Sequence, residues 1–282
     1  TIFLNIQEFL SRSSNVEELI QRIRRSLMRE IRREYPTIDF YDELDLTENM
    51  KEIYAETNEP FIIIIDEWDC IFREYAEDKA AQERYLDFLR DFLKDKAHIH
   101  LAYMTGILPI KKYGTHSALN MFDEFSMANP GVLAQYVGFT ENEVRCLCSD
   151  YQMDLAEIKE WYDGYRFGKA DVYCPWDVMN YVRDLRIDPD MKPASYWKNT
   201  SDNAIIRSFI DYAGTSITRK LETLLEGGYI VQKIEEDLTY DYLHSSENNL
   251  WSVLYLTGYL TKVSGSGVMG LRNNGEVALT IP

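Results

Sequence analysis

The amino-acid sequence predicts an α/β fold with a parallel sheet in its first half, followed by a mainly helical domain. Three observations support this prediction. Strand patterns and amphipathic helices alternate over residues 1–106, one strand contains four consecutive isoleucines, and strand patterns become sparse after residue 140. Such alternation is typical of parallel strands joined by right-handed helical crossovers.

The elements of the first half follow in the order β-α-β-α-β. They are the strand TIFLNI, a helix over about 15–34, a linker near 36–48, the strand FIIIID, helices near 68–74 and 79–95, and the strand HIHLAYMTG at 98–106. A continuous β-branched run such as FIIIID is typical of a strand that is buried on both faces of a sheet. Parallel strands bring their carboxyl ends to the same edge of the sheet, where open α/β sheets bind ligands.

Composition excludes some classes of function. The chain has 282 residues, is 45% hydrophobic and carries a net charge of -17, with a pI near 4.7. It is long enough to bury a large core, and its acidity argues against bulk electrostatic coating of nucleic acid. A local basic face stays open as an alternative. The arginine-rich side of the first long helix, RIRR and REIRRE, is typical of a solvated helix face.

The cysteine and histidine pattern does not predict a metal site. The residues concerned are Cys70, Cys146, Cys148, Cys174, His98 and His100. The cysteines lack the paired spacing of a zinc site, and the two histidines have no thiol nearby. Apolar runs are of strand length, so we expect no membrane partner and a reducing cytoplasmic location.

The second half is predicted to be helical, with a small winged-helix-like module at its end. Its predicted helices lie near 140–150, 154–163, 175–185, 202–212 and 216–226. The strand YIVQKI, a helix near 246–258 and a two-stranded hairpin of GYLTKVS and GEVALTIP complete the module. We therefore predict three segments: an incomplete α/β domain at 1–135, a helical domain at 136–245 and the terminal module or linker at 246–282.

The isoleucine strand ends in two carboxylates, Asp66 and Glu67, and this pattern suggests a chemistry. In P-loop nucleotidases such a strand supplies one carboxylate to the magnesium shell and a second to the attacking water. Asp66 would take the metal role and Glu67 the catalytic water role. Thr105, at the tip of the next strand, would sense the terminal phosphate. The alternative is that two acids simply end a hydrophobic strand.

Several later segments resemble one protein family. These are YMTGILPIKKYGTHSALNMFDEFSMANP (103–130), YVGFTENEV (136–144), WYDGYRFG (161–168), VYCPWDVMNYV (172–182) and YWKNTS (196–201). They closely resemble the predicted AAA-ATPase-like family of bacterial and archaeal proteins, in the same order and with similar spacing. The resemblance implies a P-loop ATPase that uses ATP and Mg²⁺, with IIIIDEWD at the Walker B position and YMTG as the sensor strand.

The sequence departs from the family pattern in one respect. It contains no Gly-x-x-x-x-Gly-Lys-Ser/Thr phosphate loop, and it lacks the PD-(D/E)XK nuclease-like region that many members carry. We therefore expect a fragment whose first strand and phosphate loop precede Thr1 in the parent protein. Two macromolecular partners are considered. One is DNA, which would be bound through the nuclease-like domain, and the other is a second copy of the chain.

Other polar residues are weaker candidates for the nucleotide site. Lys111 and Lys112 follow the sensor strand and would reach a phosphate, and Asp69 would support the site by holding a basic side chain. Arg145 and Arg166 would act as arginine sensors. For the lysines, the alternative is an ordinary solvated loop.

Two classes of function compete. In the first, the parent protein is an ATPase whose nucleotide state moves the helical domain and a nuclease-like module. In the second, it is a nucleotide-independent interaction or DNA-binding scaffold. The first class is favoured if Asp66 and Glu67 lie beside Thr105 at an open strand tip. The second class is favoured if these acids pair with local arginines.

Overall fold

The chain forms two compact units. The computed structural model describes residues 1–40, 42, 44–107, 119–196, 214–236, 238, 246–263 and 275–282. Among these residues, the first unit ends at Glu124 and the second begins at Phe125. The boundary predicted from the sequence, after residue 135, lies a short distance further along the chain.

The first unit is an α/β structure built on a three-stranded parallel sheet, as predicted. Its elements are β1 (Ile2–Asn5), α1 (Ile6–Leu10), α2 (Val16–Glu34), α3 (Leu46–Thr57), β2 (Phe61–Asp66), α4 (Cys70–Glu74), α5 (Lys79–Leu93) and β3 (Ile99–Met104). Strand β2 lies between β1 and β3, and both pairings are parallel. In the described part of the chain, no further strand pairs with β3.

The two faces of this sheet are buried to different extents. On one face, which we call the covered face, Leu4, Ile63 and Ile65 are almost fully buried and join one core with the buried residues of α1 to α5. On the other, the open face, Phe3, Leu101 and Tyr103 are 61%, 53% and 46% exposed. Since side chains alternate along a strand, the isoleucines of β2 are divided between the two faces.

The expectation that FIIIID is buried on both faces is therefore wrong. Burial alternates along β2, so that Ile63 and Ile65 are buried whereas Ile62 and Ile64 are only half-buried. The buried residues of the helices form their core with the covered face alone. A β-branched run indicates a strand, but it does not indicate on which side helices will pack.

Two helices of the first unit were not predicted. Helix α1 follows β1 without a loop, and the side chain of Asn5 caps it by accepting a hydrogen bond from the Glu8 backbone N–H. Helix α3 (Leu46–Thr57) begins inside the linker that was predicted near 36–48 and continues beyond it. Asp45 caps its start and Asn58, in the left-handed conformation, ends it. Each helix begins at a capping side chain, and α3 buries only a narrow stripe of side chains.

In its described residues, the second unit is mainly helical and contains two small antiparallel sheets. Its elements are a 3₁₀ turn (Gly131–Leu133), α6 (Glu141–Tyr151), α7 (Leu155–Tyr162), β4 (Tyr165–Phe167), β5 (Ala170–Val172), α8 (Pro175–Ile187), α9 (Thr215–Leu225), β6 (Ile230–Lys233), α10 (Glu247–Leu256), β7 (Thr261–Lys262) and β8 (Glu276–Thr280). The helix predicted near 202–212 lies outside the described residues. The capping box predicted for α6 is present, with Thr140 and Glu143 bonded to each other's backbone N–H groups.

The predicted terminal pairing is present and larger than expected. Strands β7 and β8 pair antiparallel as predicted, and β6 adds to the other edge of β8 in a three-stranded sheet. The hairpin of β4 and β5 was not predicted. The likeness of the terminal module to a winged helix stays a prediction. None of the helices among the described residues combines the length and apolar character needed to cross a bilayer.

Candidate functional site

Three polar side chains line up where the parallel strands end. In the sheet register Asn5 lies beside Asp66, and Thr105 follows Met104, which pairs with Ile65. The Thr105 hydroxyl donates to Asp66 Oδ1 at 2.5 Å, and the Asn5 amide donates to Asp66 Oδ2 at 3.2 Å. Asp66 and Thr105 thus meet at one edge of the sheet, as their positions in the sequence predicted.

The carboxylate of Asp66 keeps one acceptor position. Besides the two side-chain donors, Asp66 Oδ1 accepts from the Glu67 backbone N–H at 3.0 Å. A carboxylate offers about four lone-pair directions, so three donors leave about one direction open, on Oδ2. Asp66 is only partly buried. The arrangement fixes the orientation of this carboxylate and still lets it accept one more donor or bind one cation.

The backbone turns sharply directly after Asp66. Glu67 has a φ of 54°, in the left-handed region that costs a non-glycine residue roughly 1–2 kcal/mol. Its side chain forms an ion pair with Arg73 of α4, with 2.7 Å between Oε2 and Nη2. Arg73 Nη2 also lies 3.5 Å from Gln7 Oε1. Glu67 is therefore held toward α4 by a local arginine, while Asp66 faces the strand tips.

Hydrogen bonds to neighbouring segments hold this turn in place. Trp68 N–H donates to the Thr105 carbonyl at 3.1 Å, and the Tyr85 hydroxyl of α5 donates to the Trp68 carbonyl at 2.9 Å. Asp69 is fully buried, and its Oδ2 accepts from the Ile107 backbone N–H at 2.9 Å. These bonds tie the end of β2 to the end of β3, which explains how the strained conformation of Glu67 is maintained.

Gly106 provides the space that these contacts require. A Cβ atom at this position would lie 2.5 Å from the Trp68 indole and 2.8 Å from Asp69 Oδ1. Any side chain would therefore push apart the two segments that carry Asp66 and Thr105. Close by, burial raises the pKa of the Cys70 thiol to about 12, so this cysteine is not a nucleophile of the site.

Two of the remaining candidates are arginines that pair with an acidic residue. Arg145 on α6 is paired with Glu141, and Arg166 on β4 contacts Asp171 on β5 at 2.8 Å. Both belong to the second unit, and their proposed sensor roles stay predictions. Lys111 and Lys112 lie outside the described residues.

Sequence reasoning missed Asn5 and Arg73. Asn5 carried a usable signal, because a polar residue ends β1 just as Asp66 ends β2. Its amide reaches Asp66 across 61 positions of sequence, which follows only from the pairing of the two strands. Arg73 carried no such signal, since its contact with Glu67 depends on the left-handed turn between them.

Comparisons with known proteins support the family resemblance for the first unit. The model of a family described as AAA-ATPase_like, Predicted AAA-ATPase, matches residues 2–115. The match includes β1 to β3 and therefore the whole strand-tip cluster. Over these residues the resemblance predicted from the sequence is confirmed.

A relative with a longer chain is also similar. A protein of Azotobacter chroococcum mcd 1, described as "Uncharacterized protein in vnfD 5'region", is 25% identical over 159 residues. The aligned part covers 54% of this chain and 29% of the relative, so the chain spans less than a third of that protein's length. No solved structure matches the chain.

Proposed function

We propose that the carboxyl edge of the parallel sheet is the magnesium and phosphate side of a nucleotide site, and that the parent protein hydrolyses ATP. The observation that carries this proposal is the position of Asp66, which is hydrogen-bonded to Asn5 and Thr105 across three parallel strand tips. Open α/β sheets bind ligands at this edge. The match to a family of predicted AAA-ATPases agrees with it.

The donor set suits magnesium that arrives together with a nucleotide. Magnesium is commonly held by one or two carboxylates, with substrate phosphates and waters completing its shell. Asp66 supplies one oriented carboxylate with an acceptor position left on Oδ2. The described residues contain no cluster of three or more acidic, histidine or cysteine side chains that would form a metal site by themselves.

Each residue then has a separate task. Asp66 holds the cation, Thr105 and Asn5 orient that carboxylate, and Glu67 accepts a proton from the attacking water. When bound, Mg²⁺ supplies charge stabilisation to the phosphates. The ion pair with Arg73 engages Oε2 and leaves Oε1 able to accept that proton. The same proposal includes a movement of the helical unit and of an appended nuclease-like module when the nucleotide state changes.

A second candidate function is a scaffold that needs no nucleotide. One observation favours it: Glu67 is paired with a local arginine, as expected for an acid that only stabilises the turn. The pair is partly exposed, with the Glu67 side chain 39% accessible, so it contributes up to about 1 kcal/mol. An ion pair of that strength is readily broken in favour of another contact of Glu67.

The test measures binding of a fluorescent ATP analogue and phosphate release. It uses the full-length natural protein, with the present 282 residues alone measured beside it, since these contain no phosphate-loop sequence. Asp66→Asn should weaken Mg²⁺-dependent binding about tenfold or more, because the cation loses its carboxylate. Glu67→Gln should retain binding and slow hydrolysis by about 100-fold or more. Glu59→Gln, an exposed acid before β2, is the matched control.

The outcomes separate the two candidates. If Asp66→Asn and Glu67→Gln both hydrolyse ATP like the control, the assignment of these two acids is wrong. If the full-length protein binds no nucleotide and Glu67→Gln only lowers thermal stability, the scaffold is the correct function.

A further inference from the structure

Helix α2 carries a stripe of arginines along its solvent side. Its members, which we call the arginine stripe, are Arg22, Arg25, Arg29, Arg32 and Arg33, and all five are exposed. At about 100° per residue they fall within a sector of roughly 100°. This sector lies opposite the buried residues Ile23 and Leu27, which face the core. Arg24 lies outside the stripe, with its guanidinium 5.7 Å from the centre of the Phe88 ring.

The stripe is a local concentration of positive charge on an acidic protein. The chain has a net charge of -17, yet six of its 30 lysines and arginines lie between residues 22 and 33. Helix α2 contains no lysine. Among acidic residues of α2, Glu18 shares this side of the helix, at its N-terminal end.

Most of the stripe is not neutralised by its surroundings. Glu18 accepts from Ser14 and Arg22, and these contacts lower the pKa of Glu18 to about 2. Arg25, Arg29 and Arg33 form no ion pair with any residue that the structure describes. Glu30 and Glu34 are exposed and, at about 100° per residue, lie outside the sector of the stripe. Within the described part of the chain, three neighbouring guanidinium groups therefore remain available to an external anion.

We propose that the arginine stripe is a docking surface for the phosphate backbone of double-stranded nucleic acid. A guanidinium group binds phosphate oxygens through two parallel hydrogen bonds, which a lysine cannot do. The stripe holds five guanidinium groups over about 16 Å, roughly one per 3 Å, and this spacing is close to the 3.4 Å between phosphates along one strand of a duplex. This inference goes beyond the proposed nucleotide site.

Two features decide among anionic partners. A membrane-binding helix inserts its apolar face into the lipid, but the apolar face of α2 is buried in the core. The strongly negative charge of the chain repels polyanions elsewhere, so a duplex would be held by this face in one orientation. Contacts of this kind position the protein without reading base sequence.

The test measures fluorescence anisotropy of a labelled duplex of about 20 base pairs, of mixed sequence, between about 50 and 200 mM NaCl. The triple variant R25Q/R29Q/R33Q should bind at least about tenfold more weakly, and the slope of log K against log salt should fall by about three. The control R183Q/R186Q/K192Q removes the same charge from exposed positions of the second unit and should bind within about twofold of the unchanged chain.

A second variant separates charge from geometry. R25K/R29K/R33K should keep the salt slope and lose about two- to fivefold in affinity, because point charges replace bidentate donors. Circular dichroism checks that all variants are folded. The proposal is overturned if the duplex does not bind at the lowest salt, if the control loses as much affinity as the glutamine variant, or if the stripe is needed only for binding to phosphatidylserine vesicles.

Discussion

The covered and open faces of the parallel sheet come from the same three strands and serve different purposes. The covered face is apolar and almost completely buried, with Leu4, Ile63 and Ile65 in a core shared with five helices. The open face exposes Phe3, Leu101 and Tyr103. Asn5, Asp66 and Thr105 lie on the same face, two positions further along these strands or their neighbour. The covered face stabilises the unit, whereas the open face carries the candidate chemistry.

The difference shows how a stable sheet supports an exposed polar site. Burial of one face provides most of the hydrophobic stabilisation, so the strand tips on the other face need not be packed. The strained turn at Glu67 is held by the bonds of the buried residues Trp68 and Asp69 to the end of β3 and to α5. Four predictions test this division, in order of decreasing effect on stability.

The largest effect is expected on the covered face. Ile63→Ala, at a position with no exposed surface, should lower the free energy of unfolding by about 2–5 kcal/mol because it leaves a cavity. Phe3→Ala on the open face should cost less than about 1 kcal/mol although it removes a larger side chain. Urea unfolding followed by circular dichroism measures both. Equal losses would show that the two faces are equally packed.

A smaller effect is expected where the strand tips meet. Gly106→Ala should cost about 1–3 kcal/mol, because its Cβ would displace Trp68 and Asp69. It should also weaken nucleotide binding by the full-length protein. Gly214→Ala is the matched control, since no heavy atom of the described residues lies within 4 Å of a Cβ at that position. Unchanged stability in Gly106→Ala would mean that the loop adapts and does not position the site.

A pH dependence is expected from His98, a buried residue directly before β3. Burial lowers the pKa of His98 below its ordinary 6.5, with Lys96 and Lys51 lowering it further and Glu48 opposing them. As the pH falls below about 6.5, His98 becomes protonated in the unfolded chain but stays neutral in the folded protein. The folded state therefore loses stability until the pH reaches the lowered pKa of folded His98.

The slope from His98 should be at most about 1.4 kcal/mol per pH unit, the value for one proton. Thermal unfolding between about pH 7 and pH 5 measures it. His98→Gln should remove this part of the pH dependence, and His100→Gln, at an exposed position, should not. A pH dependence that is the same in both variants would assign the effect to other groups.

The smallest effect on stability is expected on the open face. Leu101→Lys should change the free energy of unfolding by less than about 0.5–1 kcal/mol and should reduce self-association, because it breaks an exposed apolar surface beside an edge strand. Light scattering measures the association, with Ile281→Lys as a control at an exposed apolar position of the second unit. A loss above about 2 kcal/mol would mean that this face is covered.

The sequence alone determined the order of the strands and the place of Asp66 and Thr105. Both follow from local patterns: a β-branched run marks a strand, intervening helices imply parallel pairing, and parallel pairing puts strand ends at one edge. It also indicated the capping box of α6 and the pairing of β7 with β8. These features depend on residues that are close in the chain or on general rules of chain topology.

Only the tertiary structure decided which face of the sheet is covered, that Asn5 shares the carboxylate of Asp66, and that Arg73 holds Glu67. The first depends on where α1 to α5 pack, which the isoleucine run does not specify because both of its faces are apolar. The second depends on strand register, where a shift of one residue would turn Asn5 to the other face. The third depends on one left-handed residue, since with Glu67 at an ordinary φ its carboxylate would point elsewhere.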